Sequence, residues 1–117
     1  MPTIHDLVRA IAQREGVEAV VILGRDGLLI DARTSVDLDG ELLAALTPAV
    51  AASAEAIGHT AGRGSLVTTV LEFERGMAIV SSISPDAILL VLVHASANVG
   101  SLLYDLRRHR ANIASLV

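Results

Sequence analysis

Four histidines, thirteen carboxylates and nine arginines are the groups in this 117-residue chain with chemistry to offer, and their spacing offers little of it. His5, His59, His94 and His109 are dispersed. No two stand at the i, i+2 or i, i+4 separation that lets two imidazoles share a metal ion. Asp105 and His109 do stand four apart on a helical stretch, which predicts a surface ion pair. Ser35, Ser65, Ser81 and Ser82 have neither a histidine neighbour nor a G-x-S-x-G setting, so nothing marks a nucleophile. Asp26 and Asp31 flank a tight turn, where an aspartate serves first as a turn former. There is no Lys, hence no P-loop lysine and no Schiff base. There is no Cys, which excludes disulfides and thiolate metal sites and predicts a cytoplasmic location. No cofactor and no metal are expected.

Two basic features stand out. Gly62-Arg63-Gly64 has the composition of a loop that could cradle an anion, although a flexible connection before a strand explains it more simply. Arg107-Arg108-His109-Arg110 falls near the end of a helix, where cations complement the helix dipole. The net charge of −4 and the presence of only two aromatic residues, Phe73 and Tyr104, argue against nucleic acid as a partner. The N-terminus lacks the basic start and apolar run of a signal peptide. Residues 87–104 carry no Asp, Glu, Lys or Arg, but polar residues follow Val93, so no membrane span is expected there.

The elements that must position these groups follow from periodicity. Apolar Ile4, Leu7, Val8 and Ile11 predict a helix over 4–14, opened by Thr3 and Asp6 as a near capping box. Val17–Leu23 and Leu28–Ala32, joined by Arg25-Asp26-Gly27, read as a hairpin whose second strand turns Leu28, Ile30 and Ala32 inward. Asp39 caps a second helix over 40–57, with Pro48 inside it, either kinking it or starting a fresh helix behind Thr47. Strands at 65–73, 77–83 and 87–93 are joined by turns too short for anything but antiparallel neighbours. A last helix covers 97–113. The fold class is therefore an α/β sandwich of order α-β-β-α-β-β-β-α over one domain, residues 1–117. Its five-stranded antiparallel sheet has helices on both faces, since Val20–Leu23 and Ile88–Val93 are apolar on both sides.

The second helix is the informative element. No residue between Glu41 and Glu55 is charged. Leu42, Leu43, Leu46, Val50 and Ile57 form one arc, expected to face the core, so that Leu46→Asp should unfold the domain. Ala44, Pro48, Ala51, Ala52 and Glu55 form a small, apolar opposite face. A chain of this length has one core and cannot cover both faces, so a second copy of the chain is expected on the small face, with Ala51→Arg or Ala52→Arg as its test.

Three stretches together resemble the Roadblock/dynein light chain family, in particular bacterial members related to MglB. They are Gly16-Val-Glu-Ala-Val-Val-Ile-Leu-Gly-Arg-Asp-Gly-Leu-Leu-Ile-Asp31, the alanine-rich middle helix, and Ala97-Asn-Val-Gly-Ser-Leu-Leu-Tyr-Asp-Leu-Arg-Arg108. The resemblance implies the sandwich shared with longin and profilin-like domains, and a homodimer that pairs edge strands and sets middle helices side by side. It also implies a Ras-like small GTPase as partner, whose hydrolysis the dimer stimulates by reshaping its switch regions. The contact face would be Glu41, Ala44, Ala45, Pro48, Ala51, Ala52 and Glu55. Arg63 would be the candidate arginine finger. Pro48 departs from the family's unbroken helix. A dimeric scaffold that leaves GTPase rates unchanged is the alternative, and an enzyme or small-molecule sensor is a further one, disfavoured by the lack of convergent polar groups.

Overall fold

The computed structural model describes residues 2–35 and 37–116. Helix α1 (Ile4–Ala12) starts at a complete capping box. Thr3 Oγ1 accepts from the Asp6 amide at 3.2 Å and Asp6 Oδ2 accepts from the Thr3 amide at 3.0 Å. Strands β1 (Val17–Gly24) and β2 (Leu29–Thr34) follow. Gly27 sits at φ +87, where a Cβ is strained, and Asp26 Oδ1 accepts the Leu28 amide at 3.0 Å. Helix α2 (Gly40–Thr60), strands β3 (Thr68–Phe73), β4 (Gly76–Ser82) and β5 (Ala87–His94), and helices α3 (Val99–Arg108) and α4 (Arg110–Ala114) complete the order.

The strands form one sheet in the order β2-β1-β5-β4-β3, antiparallel at every step. This is the expected five-stranded sandwich, with the two doubly apolar strands at its centre. Alternate residues feed two cores. Val20, Ile22, Ile79, Leu89, Val91 and Val93 pack under α1, α3 and α4. Val21, Leu23, Val80, Ile88 and Leu90 pack under α2.

Four local expectations are corrected. First, Leu28 and Ile30 are 68% and 48% exposed, and Ala32 is only half-buried. β2 is an edge strand, paired with β1 on one side, and its register to β1 shifts between Ile22 and Leu23, at the end of the hairpin that carries Leu28 and Ile30. Second, the last helix breaks at His109 into α3 and α4, although Ile113 still reaches the core. Third, α2 neither splits nor starts afresh at Pro48. It runs 21 residues, to Thr60, with Pro48 inside. Pro48 supplies no amide to the Ala44 carbonyl. Its neighbour Thr47, buried, turns its hydroxyl back to the Leu43 carbonyl at 2.7 Å.

The fourth correction concerns which face of α2 is inside. Ala44 and Ala51 are 0% and 2% exposed, whereas Leu42, Leu46 and Ile57 are 55%, 61% and 70% exposed. Of the small face Ala44 and Ala51 lie on the sheet and Ala52 does not; of the large arc Leu43 packs on the sheet as expected, while Leu42, Leu46 and Ile57 face out. The sheet surface beneath α2 is already filled by branched side chains, Val21, Leu23, Val80, Ile88 and Leu90. A helix closes against such a surface at native packing density only through small residues. Helix α2 is also long and apolar enough to cross a membrane by length and composition, yet here it lies across the sheet with Ala44, Thr47 and Ala51 buried against it.

Candidate functional site

The outward face of α2 is the site the fold constructs. Asp39 starts the helix, its Oδ1 accepting the Leu42 amide at 3.2 Å. From there Leu42, Leu46, Ala49, Ser53 and Ile57 point away from the sheet at helical spacing, with no charge among them. The helix ends against the start of β3. There Glu55 Oε2 accepts the Leu66 amide at 2.9 Å and Glu55 Oε1 lies 3.1 Å from His59 Nε2. The outer edge of the sheet on this side is β3, whose Phe73 shares the α2 face with Leu71 and is 58% exposed. An exposed apolar helix beside an unpaired strand edge is a surface built for protein contact rather than for covalent chemistry.

Of the residues expected to form the contact face, Glu41, Ala45 and Ala52 are exposed, and Pro48 and Glu55 are half-buried. Ala44 and Ala51 are not on that face, because they pack on the sheet. The sequence reading passed over Leu42, Leu46 and Ile57 as partner-facing residues. The signal that could have found them was the bulk of the strand residues underneath, which favours alanine at the centre of the contact and leaves Leu43 only its margin.

Glu55 holds the loop after α2. Its carboxyl lies below the ordinary glutamate range, chiefly because the Leu66 amide donates to it; burial opposes this, and His59 adds to the lowering. A depressed carboxylate stabilises the fold fully above the ordinary glutamate pKa. That contribution is lost as the pH falls through the depressed value. The Leu66 amide resonance is accordingly expected to titrate with a midpoint below the ordinary glutamate range, and Glu55→Gln to abolish that titration. A midpoint within or above the range would contradict the contact.

Arg63 is exposed in the loop 61–67, between Gly62 at φ +69 and Gly64 at φ +86. Its side chain makes no hydrogen bond or ion pair among the described residues. A cleft of about 430 Å³ beside α2 is lined by Arg25, Pro48, Ala52, Glu55, Ala56, His59 and Ile88. Its polar groups are already engaged. Arg25 donates to Ser82 Oγ at 2.6 Å and to the Ser84 carbonyl at 3.2 Å, while Glu55 and His59 hold each other.

Several other titratable groups hold parts of the fold together. Asp105 does not pair with His109, as the i, i+4 spacing suggested. It accepts from Arg14 at 2.5 Å, a contact between the end of α1 and α3 that only the packing could bring about. His5 lies 3.2 Å from Asp31, and His94 Nδ1 lies 2.8 Å from Ser96 Oγ. The four histidines therefore occupy four separate surroundings.

A family model for the Roadblock/LC7 domain matches residues 3–93. An uncharacterized protein of Methanocaldococcus jannaschii is 29% identical over 102 residues, spanning 87% of this chain and 89% of its own. The solved Roadblock/LC7 domain from Streptomyces avermitilis is similar at a TM-score of 0.84 and 20% identity, over 96% of this chain and 95% of that one. The gliding protein MglB from Thermus thermophilus is similar at a TM-score of 0.82 and 17% identity, over 96% and 86%. At these identities the two structures speak to the fold. The family match covers most of the chain, and with the antiparallel five-stranded sandwich it shows that this protein belongs to the Roadblock/LC7 family.

Proposed function

We propose that the protein is a cytoplasmic homodimer that binds a Ras-like small GTPase and stimulates its GTP hydrolysis without supplying catalytic groups of its own. The observation that carries this reading is the uncharged outward face of α2, with Leu42, Leu46 and Ile57 exposed. A face of this kind is stable in water only when another surface covers it. A second copy related by a twofold axis covers Leu42 and Leu46 with their own counterparts. Exposed Phe73 on the α2 face of β3 extends the same contact toward the sheet edge. The rim then available to a GTPase comprises Glu41, Ala45 and Ala52, with Pro48 and Glu55 at its margin. Resemblance to MglB-like members supports a GTPase as the occupant and a population shift of its switch regions as the means. Stimulation of that kind requires tighter binding to one switch conformation than to the other.

Single-turnover GTP hydrolysis by the Ras-like GTPase of the same genome is expected to accelerate at least about tenfold with this protein in excess, a barrier reduction of about 1.4 kcal/mol. Arg63→Ala is expected to retain that acceleration. Loss of the acceleration by a folded Arg63→Ala variant would instead make Arg63 an arginine finger. Co-elution at an unchanged rate would replace the activator by a dimeric scaffold.

A further inference from the structure

The opposite face of the molecule carries a second surface of different chemistry. Residues 2–16 and 95–116, which build α1, α3 and α4, hold five arginines against three carboxylates, a net charge of +2. Residues 17–94 hold four arginines against ten carboxylates, a net charge of −6. Within the positive layer Arg9 pairs with Asp6 and Arg14 with Asp105. That leaves Arg107, Arg108 and Arg110 exposed and without an ion pair among the described residues. A groove of about 730 Å³ runs between α1 and α4, with Leu7, Ala10, Ile113 and Leu116 on its walls and His109, which stands between Arg108 and Arg110 in sequence, at its edge. Among the described residues the one carboxylate on its wall, Asp6, is already engaged by the Thr3 amide and Arg9.

We propose that this groove is a docking site for an amphipathic helix of a partner protein that sets acidic residues beside its apolar anchors. Charge complementarity chooses acidic flanks, because Arg107, Arg108 and Arg110 lie within two residues of His109, which lines the groove, and the carboxylate that lines it among the described residues is already engaged. The shape chooses a helix. The groove is bounded by two helices and offers no strand edge, and a helix laid between helices meets Leu7, Ala10, Ile113 and Leu116 at i, i+3, i+4 and i+7. A membrane surface fits less well. The apolar groups here are recessed between helices, and Tyr104 is the one large apolar side chain of this layer that is strongly exposed. The surface is separate from the outward face of α2 and stands or falls independently of the GTPase reading.

The test uses the full chain and two synthetic amphipathic helices of about 18 residues, a length that sustains helix. Both carry one leucine stripe, flanked by Glu in one and by Lys in the other. Fluorescence anisotropy is expected to show the Glu peptide binding at least about tenfold more tightly than its Lys twin. Backbone amide shifts should map it to Leu7, Ala10, Ile113 and Leu116. The triple exchange Arg107→Glu, Arg108→Glu, Arg110→Glu should reverse the preference. Ala10→Glu, an exposed substitution within the groove, should weaken the Glu peptide by a similar factor. Equal affinity for both peptides, shifts confined to α2, or binding to anionic phosphatidylserine vesicles in place of the peptide would each overturn the proposal.

Discussion

Leu46→Asp is expected to leave the domain folded and to convert the proposed dimer to monomers. Leu46 is 61% exposed on the outward face of α2, so a charge there remains in water. Exposed substitutions of this kind usually change stability by no more than about 0.5 kcal/mol, and the lower helix propensity of Asp adds a similar amount. At a twofold contact the same change occurs twice. Each copy places a carboxylate where an apolar anchor was, at a cost of about 2 kcal/mol or more for a central interface residue. The sum, about 4 kcal/mol, weakens association on the order of 10³-fold. Sedimentation velocity with circular dichroism on the same sample reads both quantities. A folded variant that keeps its dimer mass would move the contact away from α2, and an unfolded one would contradict the observed burial.

Ala51→Arg should do the reverse and destroy the fold. Ala51 is 2% exposed and lies with Ala44 over Val21, Leu23, Val80, Ile88 and Leu90. A longer side chain must displace those residues, and the carboxylate one turn along, Glu55, is already engaged by the Leu66 amide and His59. Overpacking costs about 1–3 kcal/mol, and an uncompensated buried charge costs about 3–5 kcal/mol. Together they reach much of the 5–15 kcal/mol by which a domain of ordinary stability is held. Thermal denaturation is expected to show loss of the cooperative transition. Ala52→Arg, one residue along and exposed, should melt close to the parent, so the pair separates burial from position on the helix. A native-like melt for Ala51→Arg would mean that α2 does not rest on its small face.

The two variants exchange the roles that sequence periodicity assigned to them. Periodicity located α2 and sorted its residues into a large arc and a small arc, but it carries no information on which arc the core accepts. That choice belongs to the sheet. Its α2 side presents Leu23 from β1 and Ile88 and Leu90 from β5, residues 21 to 46 positions away from Ala44, which must fit them. Asp105 shows the same limit at the scale of one contact. Along the helix it has His109 within reach, but the fold brings up Arg14, ninety-one residues distant.

What the sequence by itself determined is the local and the statistical. It placed the capping box at Thr3 and Asp6, the Asp-Gly hairpin turn, the antiparallel order forced by short connections, the doubly apolar central strands and the membership of a family. Each of these depends on neighbours within a few residues or on patterns summed along a strand, and chain stereochemistry resolves such signals before any tertiary contact exists. Only the tertiary structure decided the orientation of α2, the exposure of Leu28 and Ile30 on the edge strand, the partner of Asp105, and the groove between α1 and α4. Those depend on volumes and charges supplied by segments remote in sequence, and close packing admits one arrangement of them among several that the pattern allows.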